Sequence, residues 1–398
     1  MNIPVSALQA PTQDTLDAWL SAPRLAKCGK FFTPSEPMWW PDRASNWAVN
    51  WQASIVCVAS EWQRWLHAAL AYRMADVSQA TISGVASVLS RSAEAGFNPL
   101  NEDHLTELRE RFNTGEFATL ASFMEFWHTC ESVRQRPWQS LIDAYKGLPR
   151  KKCVQKDVIL SLDPEQGPFT QAEQDALHQW AHEQFCHAKL DPEQYLYLRL
   201  LMIYGQRSVQ LRMLVFDDFI KTDEGYKIRL FWAKQRDDDA GWRAKAETFS
   251  LDEDLYNTVQ AYKAIILARL WQEYPSGADW DKAIKHVPLF RRKLQEVGVG
   301  SFNPPVLIGL PNQKALEDAP KPEFHVRASG VRFWLYRIER MADFPISPRT
   351  HQPLKISRGH RFRHTLGTDL SNAGLDEWSI ASALMHANTN TVRKYRAV

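Results

Sequence analysis

The chain has 398 residues, of which 44% are hydrophobic, and this length is enough to bury more than one core, so we expect two domains. A net charge of +2 at pH 7 is too small to indicate a nucleic-acid partner by itself, and no apolar stretch approaches the roughly 20 residues of a membrane helix. The five cysteines form no CxxC pair and no secretory signal precedes the chain, which excludes a disulfide framework and favours a cytoplasmic protein.

Residues 1–50 are interpreted as an N-terminal extension. Four prolines interrupt any long helix there, at Pro23, Pro34, Pro37 and Pro41. The apolar content lies in tryptophans such as Trp39 and Trp40. We expect the extension to pack against the domain that follows, and the alternative is an arm that contacts DNA or a neighbouring subunit.

Residues 51–147 are predicted to form a helical domain. Ile55, Val58 and Trp62 recur at helical spacing, which is typical of a buried helix face. Further helices are predicted at 78–92, 105–112 and 117–127.

A basic stretch follows, with seven Lys and Arg residues against one Asp between positions 134 and 156. It also contains Pro137, Gly147 and Pro149, as a connector between domains does, and we place the interdomain linker at 148–168. Such a segment is either a solvated surface or a backbone-binding strip that gains affinity by counterion release. The candidate DNA-binding residues in it are Arg150, Lys151, Lys152 and Lys156.

Residues 169–398 are predicted to form a second domain, mainly α with a small antiparallel β-sheet (α+β). Thr170 and Glu173 form a capping-box pattern that begins a helix. Ile228, Leu230 and Trp232 alternate with their neighbours as in a half-buried strand, which pairs with a second strand near 248–251. The remaining predicted elements are a short helix after Arg207 that ends near Leu214, a helical stretch from Leu255 onward, and helices at 193–204, 327–341, 363–373 and 376–386, with a long loop at 303–322.

The C-terminal segment carries His, Arg and Tyr residues in a distinctive order. The motif residues are His360, Arg363, His364, Thr365, Ala373, Gly374, Leu384, Met385, His386 and Tyr395. Their order and intervals resemble the C-terminal signature of the tyrosine recombinase, or phage integrase, family. Because four residue types occur in order at fitting intervals, the pattern is specific.

The resemblance implies two further site residues upstream. The Gly-x-Arg that ends at Arg207, followed by an apolar helix, is similar to the first arginine motif of the family. The catalytic lysine of the family lies on a later β-hairpin, a place that Lys234 matches and for which Lys245 is the competitor. The resemblance covers 169–398, whereas 51–147 matches the core-binding domain of the family only in its helical character.

The residue types fit attack on a DNA phosphodiester without a cofactor or metal. Arginine is always charged and binds phosphate with two hydrogen bonds, so Arg207 and Arg363 are the candidates that clamp the phosphate. His386 would donate a further hydrogen bond to it. Such donors stabilise the negative charge that grows on the non-bridging oxygens.

Tyr395 is the candidate nucleophile. A phenol with a pKa near ~10 needs a proton acceptor at neutral pH, and His360 is the candidate for that role. Lys234 would protonate the leaving 5′-hydroxyl. The expected product is a 3′-phosphotyrosyl link, which a second DNA end can reverse without ATP.

Three features depart from the family pattern. Gln210 stands where the family commonly has an acid, and Met385 stands where it usually has Gly. Only three residues follow Tyr395, too few for the C-terminal helix with which many relatives dock into the next subunit. We expect residues 1–50, or the helix that bears Tyr395, to provide any docking.

The leading interpretation is a site-specific recombinase that acts as a homo-tetramer on double-stranded DNA in the cytoplasm, associated with the nucleoid, with accessory factors possible. The alternatives are a type IB topoisomerase and a non-catalytic DNA-binding accessory protein. A competing pattern places His178, His182 and Cys186 on one helical face, as in a metal site. We favour ordinary surface residues for that trio and expect no metal.

Overall fold

The computed structural model describes residues 15–41, 48–130, 133, 135–148, 159, 161–232, 243, 245–273, 279–291, 325–386 and 388–395. The chain divides into two compact units, Met1–Cys153 and Val154–Val398. Both are mainly α-helical with small antiparallel sheets, so the predicted fold class, mainly α with a small antiparallel sheet, is confirmed, while the two ribbons of the first unit were not predicted. Within the described ranges, no helix is both long enough and apolar enough to cross a membrane.

The first unit combines seven helices and two short β-ribbons in its described part. The helices are α1 (Leu16–Ser21), α2 (Gln52–Ile55), α3 (Ser60–Arg73), α4 (Gln79–Glu94), α5 (Leu105–Arg111), α6 (Thr114–Thr129) and α7 (Gln139–Gly147). The ribbons pair β1 (Arg24–Leu25) with β2 (Phe31–Phe32) and β3 (Met38–Trp39) with β4 (Val49–Asn50).

The N-terminal extension packs against the helices that follow it. Trp39 is fully buried, and its ring stacks on Trp51 and on His67 of α3 at centroid distances of 6.2 and 5.5 Å. Its indole Nε1 donates to the Pro34 carbonyl at 2.9 Å. The Trp39 indole is therefore buried in the hydrophobic core of the first unit with its N–H satisfied.

No separate helix was predicted at α7, although its residues lie within the predicted helical domain 51–147. Leu141, Ile142 and Tyr145 of α7 are buried in the core of the first unit, and the Tyr145 hydroxyl donates to the Pro99 carbonyl at 2.9 Å. The flanking prolines and cations hid a short apolar face, which decides the structure of this segment.

The second unit contains eight helices and one three-stranded sheet among its described residues. The helices are α8 (Gln171–Cys186), α9 (Pro192–Tyr204), α10 (Ser208–Arg212), α11 (Glu253–Glu273), α12 (Trp280–Ala283), α13 (Ala328–Ile338), α14 (His360–Asn372) and α15 (Glu377–Ala383). Two 3₁₀ turns, Thr389–Thr391 and Arg393–Tyr395, follow α15.

The sheet of the second unit has the order β5–β6–β7 and is antiparallel throughout. The predicted hairpin is confirmed as β6 (Gly225–Phe231) and β7 (Ala246–Leu251), with Ile228 opposite Phe249. Strand β5 (Phe219–Thr222) was not predicted. The capping box of Thr170 and Glu173 is confirmed at the start of α8. The predicted loop at 303–322 lies outside the described residues.

Candidate functional site

Arg207 lies where α9 ends and α10 begins. Gly205 ends α9 with a φ of +52°, and an added Cβ there would stand 3.1 Å from the Phe362 carbonyl oxygen of α14. The glycine therefore permits both the turn and the close approach of α14. Nη2 of Arg207, two residues on, lies 3.5 Å from Nδ1 of His386.

Arg363 projects from α14 into the same region and is only 4% exposed. Its Nη1 donates to the Gly205 carbonyl at 3.3 Å and to the side-chain oxygen of Gln206 at 3.4 Å, and its Nη2 donates to the Leu384 carbonyl. The guanidinium thus joins the end of α9 to the segment that carries His386. A planar donor with five N–H groups suits this bridging position.

Tyr395 is fully buried in a small cluster that also contains Ile380, Leu384 and Val392. Burial raises the pKa of its phenol to about 12, and the positive charges of Arg363 and Arg207 oppose that rise. Burial lowers the pKa of Arg363 to about 10, with a further lowering from the like charge of Arg207. The phenol and both guanidinium groups therefore lie within electrostatic reach of one another.

The two arginines form a concentrated positive site. Within the described part of the chain, neither Arg207 nor Arg363 forms an ion pair with a carboxylate. Bringing two like charges together in a partly buried position is unfavourable unless an anion binds between them. Two guanidinium groups placed in this way, with a phenol beside them, can bind an anion.

Helix α14 positions the phenol through two residues on one face. A Cβ at Gly367 would stand 2.8 Å from Cε1, Cε2 and Cζ of Tyr395, so the ring lies against bare backbone at this position. One helical turn earlier, Nδ1 of His364 lies 3.4 Å from the Tyr395 hydroxyl.

Two glutamines hold the surrounding backbone. Gln206, only 2% exposed, donates from Nε2 to the Ala383 carbonyl at 2.8 Å. Gln210, equally buried, accepts from the Arg207 backbone N–H at 3.2 Å and donates to the Phe231 carbonyl at 2.9 Å and to Sδ of Met385 at 3.1 Å. The sequence offered no signal for the role of Gln206, while Gln210 was noted only as a departure from the family pattern.

Residues 346–398 match the sequence model of the phage integrase family. The match includes every motif residue from His360 to Tyr395, so the resemblance drawn from those residues is confirmed for this segment. A search of curated proteins found no match to the chain.

Several solved structures are similar to the chain at low sequence identity. The Tn1549 transposon integrase in complex with transposon right end DNA is 13% identical with a TM-score of 0.45, covering 85% of this chain and 94% of that chain. The XerH site-specific recombinase bound to difH substrate is 14% identical with a TM-score of 0.46, covering 85% and 82%. The XerA recombinase is 12% identical with a TM-score of 0.32, covering 83% and 92%.

The structure brings four of the predicted site residues together and leaves others apart or undescribed. Arg207 lies beside the phage integrase segment, whose Arg363, His386 and Tyr395 complete the group. His360 also lies on α14 of that segment but is exposed, with its ring centroid 6.5 Å from that of His364. The predicted residues outside the described ranges are Lys234, Arg150, Lys151, Lys152 and Lys156.

Two alternatives raised by the sequence were Lys245 as the catalytic lysine and His178, His182 and Cys186 as metal ligands. Nζ of Lys245 lies 4.4 Å from the centroid of the Trp232 ring, in a cation–π contact across the hairpin. Sγ of Cys186 lies 3.6 Å from Nε2 of His182. No group of three or more His, Cys, Asp or Glu side chains is placed to hold a metal among the described residues.

His364 was part of the quoted motif but had no role in the sequence interpretation. It follows His360 by four positions, and residues at that spacing share a helix face, so the sequence already placed both imidazoles on one side of α14. Which of the two contacts the phenol depends on where Tyr395 packs along the helix.

Proposed function

We propose that this chain is a site-specific DNA recombinase that cleaves and rejoins strands through a 3′-phosphotyrosyl link at Tyr395. The match of 346–398 to the phage integrase family supports DNA strand transfer as the class of activity. The observation that carries the proposal is the convergence of the Tyr395 phenol with the guanidinium groups of Arg207 and Arg363, cations without carboxylate partners among the described residues.

The proposed chemistry assigns each group a part. Arg207 and Arg363 bind the non-bridging oxygens of the scissile phosphate, and His386, next to Arg207, donates a further hydrogen bond. The Tyr395 oxygen attacks phosphorus, the bond to the 5′-oxygen breaks, and Lys234 protonates that leaving oxygen. The surroundings of Tyr395 favour its neutral form, because its pKa is raised to about 12 by burial. Cleavage therefore needs a proton acceptor.

We further propose how DNA is held. The helical domain 51–147 would contribute to DNA binding, and the basic linker 148–168 would follow the phosphate backbone through Arg150, Lys151, Lys152 and Lys156. The catalytic domain 169–398 would cut and rejoin the bound strands. Paired exchange of strands would require four protomers, and the chemistry needs no cofactor.

The test starts from a DNA site selected by the protein itself. Tyr395→Phe removes the nucleophilic oxygen, so this variant can select bound duplexes from a randomised pool without cleaving them. The selected site is then nicked next to the cut position, which lets the cleaved end leave and traps the covalent complex. We expect trapping by the wild type, background levels for Tyr395→Phe, and a roughly 10²–10³-fold loss for Arg207→Ala or Arg363→Ala.

The outcomes separate the three functional classes. Trapping that persists in Tyr395→Phe contradicts the assignment of the nucleophile, and binding without trapping by the wild type indicates an accessory protein. Relaxation of a supercoiled plasmid that lacks the selected site indicates a topoisomerase. Exchange of strands between two selected sites supports the recombinase.

A further inference from the structure

His364 is the imidazole that contacts the Tyr395 hydroxyl in this structure. Its Nδ1 lies 3.4 Å from the phenolic oxygen, and the two ring centroids are 6.2 Å apart. This distance is at the long end of the hydrogen-bond range, which is common for catalytic contacts in structures without substrate. His360, the residue that the sequence suggested for the proton acceptor, is exposed one turn earlier on α14.

We propose that His364 is a further catalytic residue, the general base that accepts the phenolic proton of Tyr395. The inference rests on the proposed function, because it assigns a role within the same strand-cleavage step. It replaces His360 in that role and leaves the tasks of the two arginines unchanged.

Packing on α14 fixes the contact. Gly367 follows His364 by three positions, so the two residues lie on the same helix face. The missing Cβ at Gly367 lets the Tyr395 ring lie against the helix backbone, with Cζ, the carbon that bears the hydroxyl, among the three atoms that a Cβ would meet at 2.8 Å. With the ring held there, the hydroxyl lies next to the half-buried His364.

The proposed step conserves atoms and charge. Neutral His364 with its proton on Nε2 accepts the phenolic proton at Nδ1 and becomes an imidazolium. The electron pair left on the Tyr395 oxygen forms the bond to phosphorus as the bond to the 5′-oxygen breaks. That leaving oxygen takes a proton from a separate donor, for which Lys234 is the candidate. In the reverse step, the imidazolium returns its proton to the phenol.

The experiment separates a base from a residue that only positions the phenol. Rates of single-turnover covalent trapping are measured on the nicked duplex for wild type, His364→Ala, His364→Gln and His360→Ala. Glutamine can keep a hydrogen bond to the phenol but cannot take its proton, so we expect both His364 variants to lose about 10²–10⁴-fold. His360→Ala is the matched control from the same helix face, and we expect a smaller loss. Thermal unfolding confirms that each variant is folded.

A modified substrate identifies which proton His364 moves. A duplex with sulfur in place of the leaving 5′-oxygen needs no protonation of the leaving group, because a thiolate leaves readily. The defect of His364→Ala should persist on this duplex, and added imidazole should restore part of its trapping rate. Restoration by the sulfur duplex alone would assign His364 to the leaving group and overturn the proposal.

The remaining outcomes are equally decisive. Wild-type rates in both His364 variants, or retention of the rate in His364→Gln alone, would overturn the role of His364 as a base while leaving the recombinase assignment intact. A wild type that forms no covalent complex on its selected site would instead contradict the proposed function itself.

Discussion

The side-chain amide of Gln210 donates a hydrogen bond to the sulfur of Met385 at 3.1 Å, across 175 positions of the chain. These are the two internal positions at which the chain departs from the tyrosine recombinase pattern. Gln210 also contacts the Arg207 backbone and the Phe231 carbonyl, so the pair links the first arginine to strand β6 and to the segment that precedes His386. The two residues that depart from the family pattern therefore contact each other.

Replacing Gln210 should destabilise the second unit. Gln210→Ala leaves the buried Phe231 carbonyl and the Arg207 N–H without this partner, and we expect a loss of about 1–3 kcal/mol in the free energy of unfolding. Gln210→Glu keeps an acceptor for Arg207 but has no N–H to donate, so it should lose at least as much. Urea unfolding measures both. A Gln210→Glu variant as stable as the wild type would show that the two donated hydrogen bonds contribute nothing.

The side chain of Met385 stabilises the fold, whereas its backbone conformation is strained. Its φ of +50° lies in the left-handed region, which costs a non-glycine residue roughly 1–2 kcal/mol, while its buried thioether packs against the core and Gln210. We expect Met385→Ala to lose about 2–5 kcal/mol, because burial is lost and the strain remains. Met385→Gly loses the same side chain, but glycine adopts the left-handed conformation without strain, so this variant should be about 1 kcal/mol more stable than Met385→Ala in urea unfolding. The reverse order would contradict the left-handed conformation.

Gly367 and Gly84 form a matched pair of glycines inside helices. A Cβ at Gly84 in α4 would meet no atom within 4 Å, so Gly84→Ala should stabilise the protein by up to about 1 kcal/mol. At Gly367 the same change collides with the Tyr395 ring at 2.8 Å, so Gly367→Ala should destabilise. Removing the ring with Tyr395→Ala should turn Gly367→Ala into a stabilising change. Thermal unfolding of the double-mutant cycle tests this reversal, and a Gly367→Ala that stabilises the wild type would contradict the packing.

His67 should make the first unit sensitive to mild acid. It is 5% exposed and stacks against the rings of Trp39 and Trp51, and burial lowers its pKa from 6.5 to about 4, with an opposing effect from its hydrogen bond to the Pro34 carbonyl. Because the folded pKa is depressed, the stabilisation is fully present above pH 6.5 and is lost as the pH falls through 4. The loss between pH 7.5 and 4 should be about 3 kcal/mol.

The measurement compares wild type with His67→Phe, which keeps an aromatic ring against the two tryptophans but cannot bind a proton. Urea unfolding followed by tryptophan fluorescence at pH 7.5 and 4 gives the two free energies. His325 of the second unit, whose pKa burial lowers to about 3, contributes equally to both proteins and cancels in the difference. Equal acid sensitivity of the two proteins would rule out His67 as its source.

Local patterns allowed a large part of the fold to be predicted. The capping box at Thr170, the alternation that forms β6 and the helical spacing in α3 depend on residues a few positions apart, where backbone geometry fixes the contacts. Helix α7 and strand β5 were missed because short elements carry little periodicity of their own. The formation of α7 depends on a distant partner, since the Tyr145 hydroxyl donates to the Pro99 carbonyl, whereas β5 pairs with β6 across a tight turn that the sequence did not reveal.

The sequence by itself determined which residues were candidates for the chemistry, because the order and intervals of the C-terminal motif can be recognised without knowing how the chain folds. Only the tertiary structure decided which of them meet. It placed His364 rather than His360 against the phenol, and it joined Gln210 to Met385. Contacts between residues far apart in the chain depend on how helices pack against one another, and a shift of a single turn along α14 would exchange one histidine for the other.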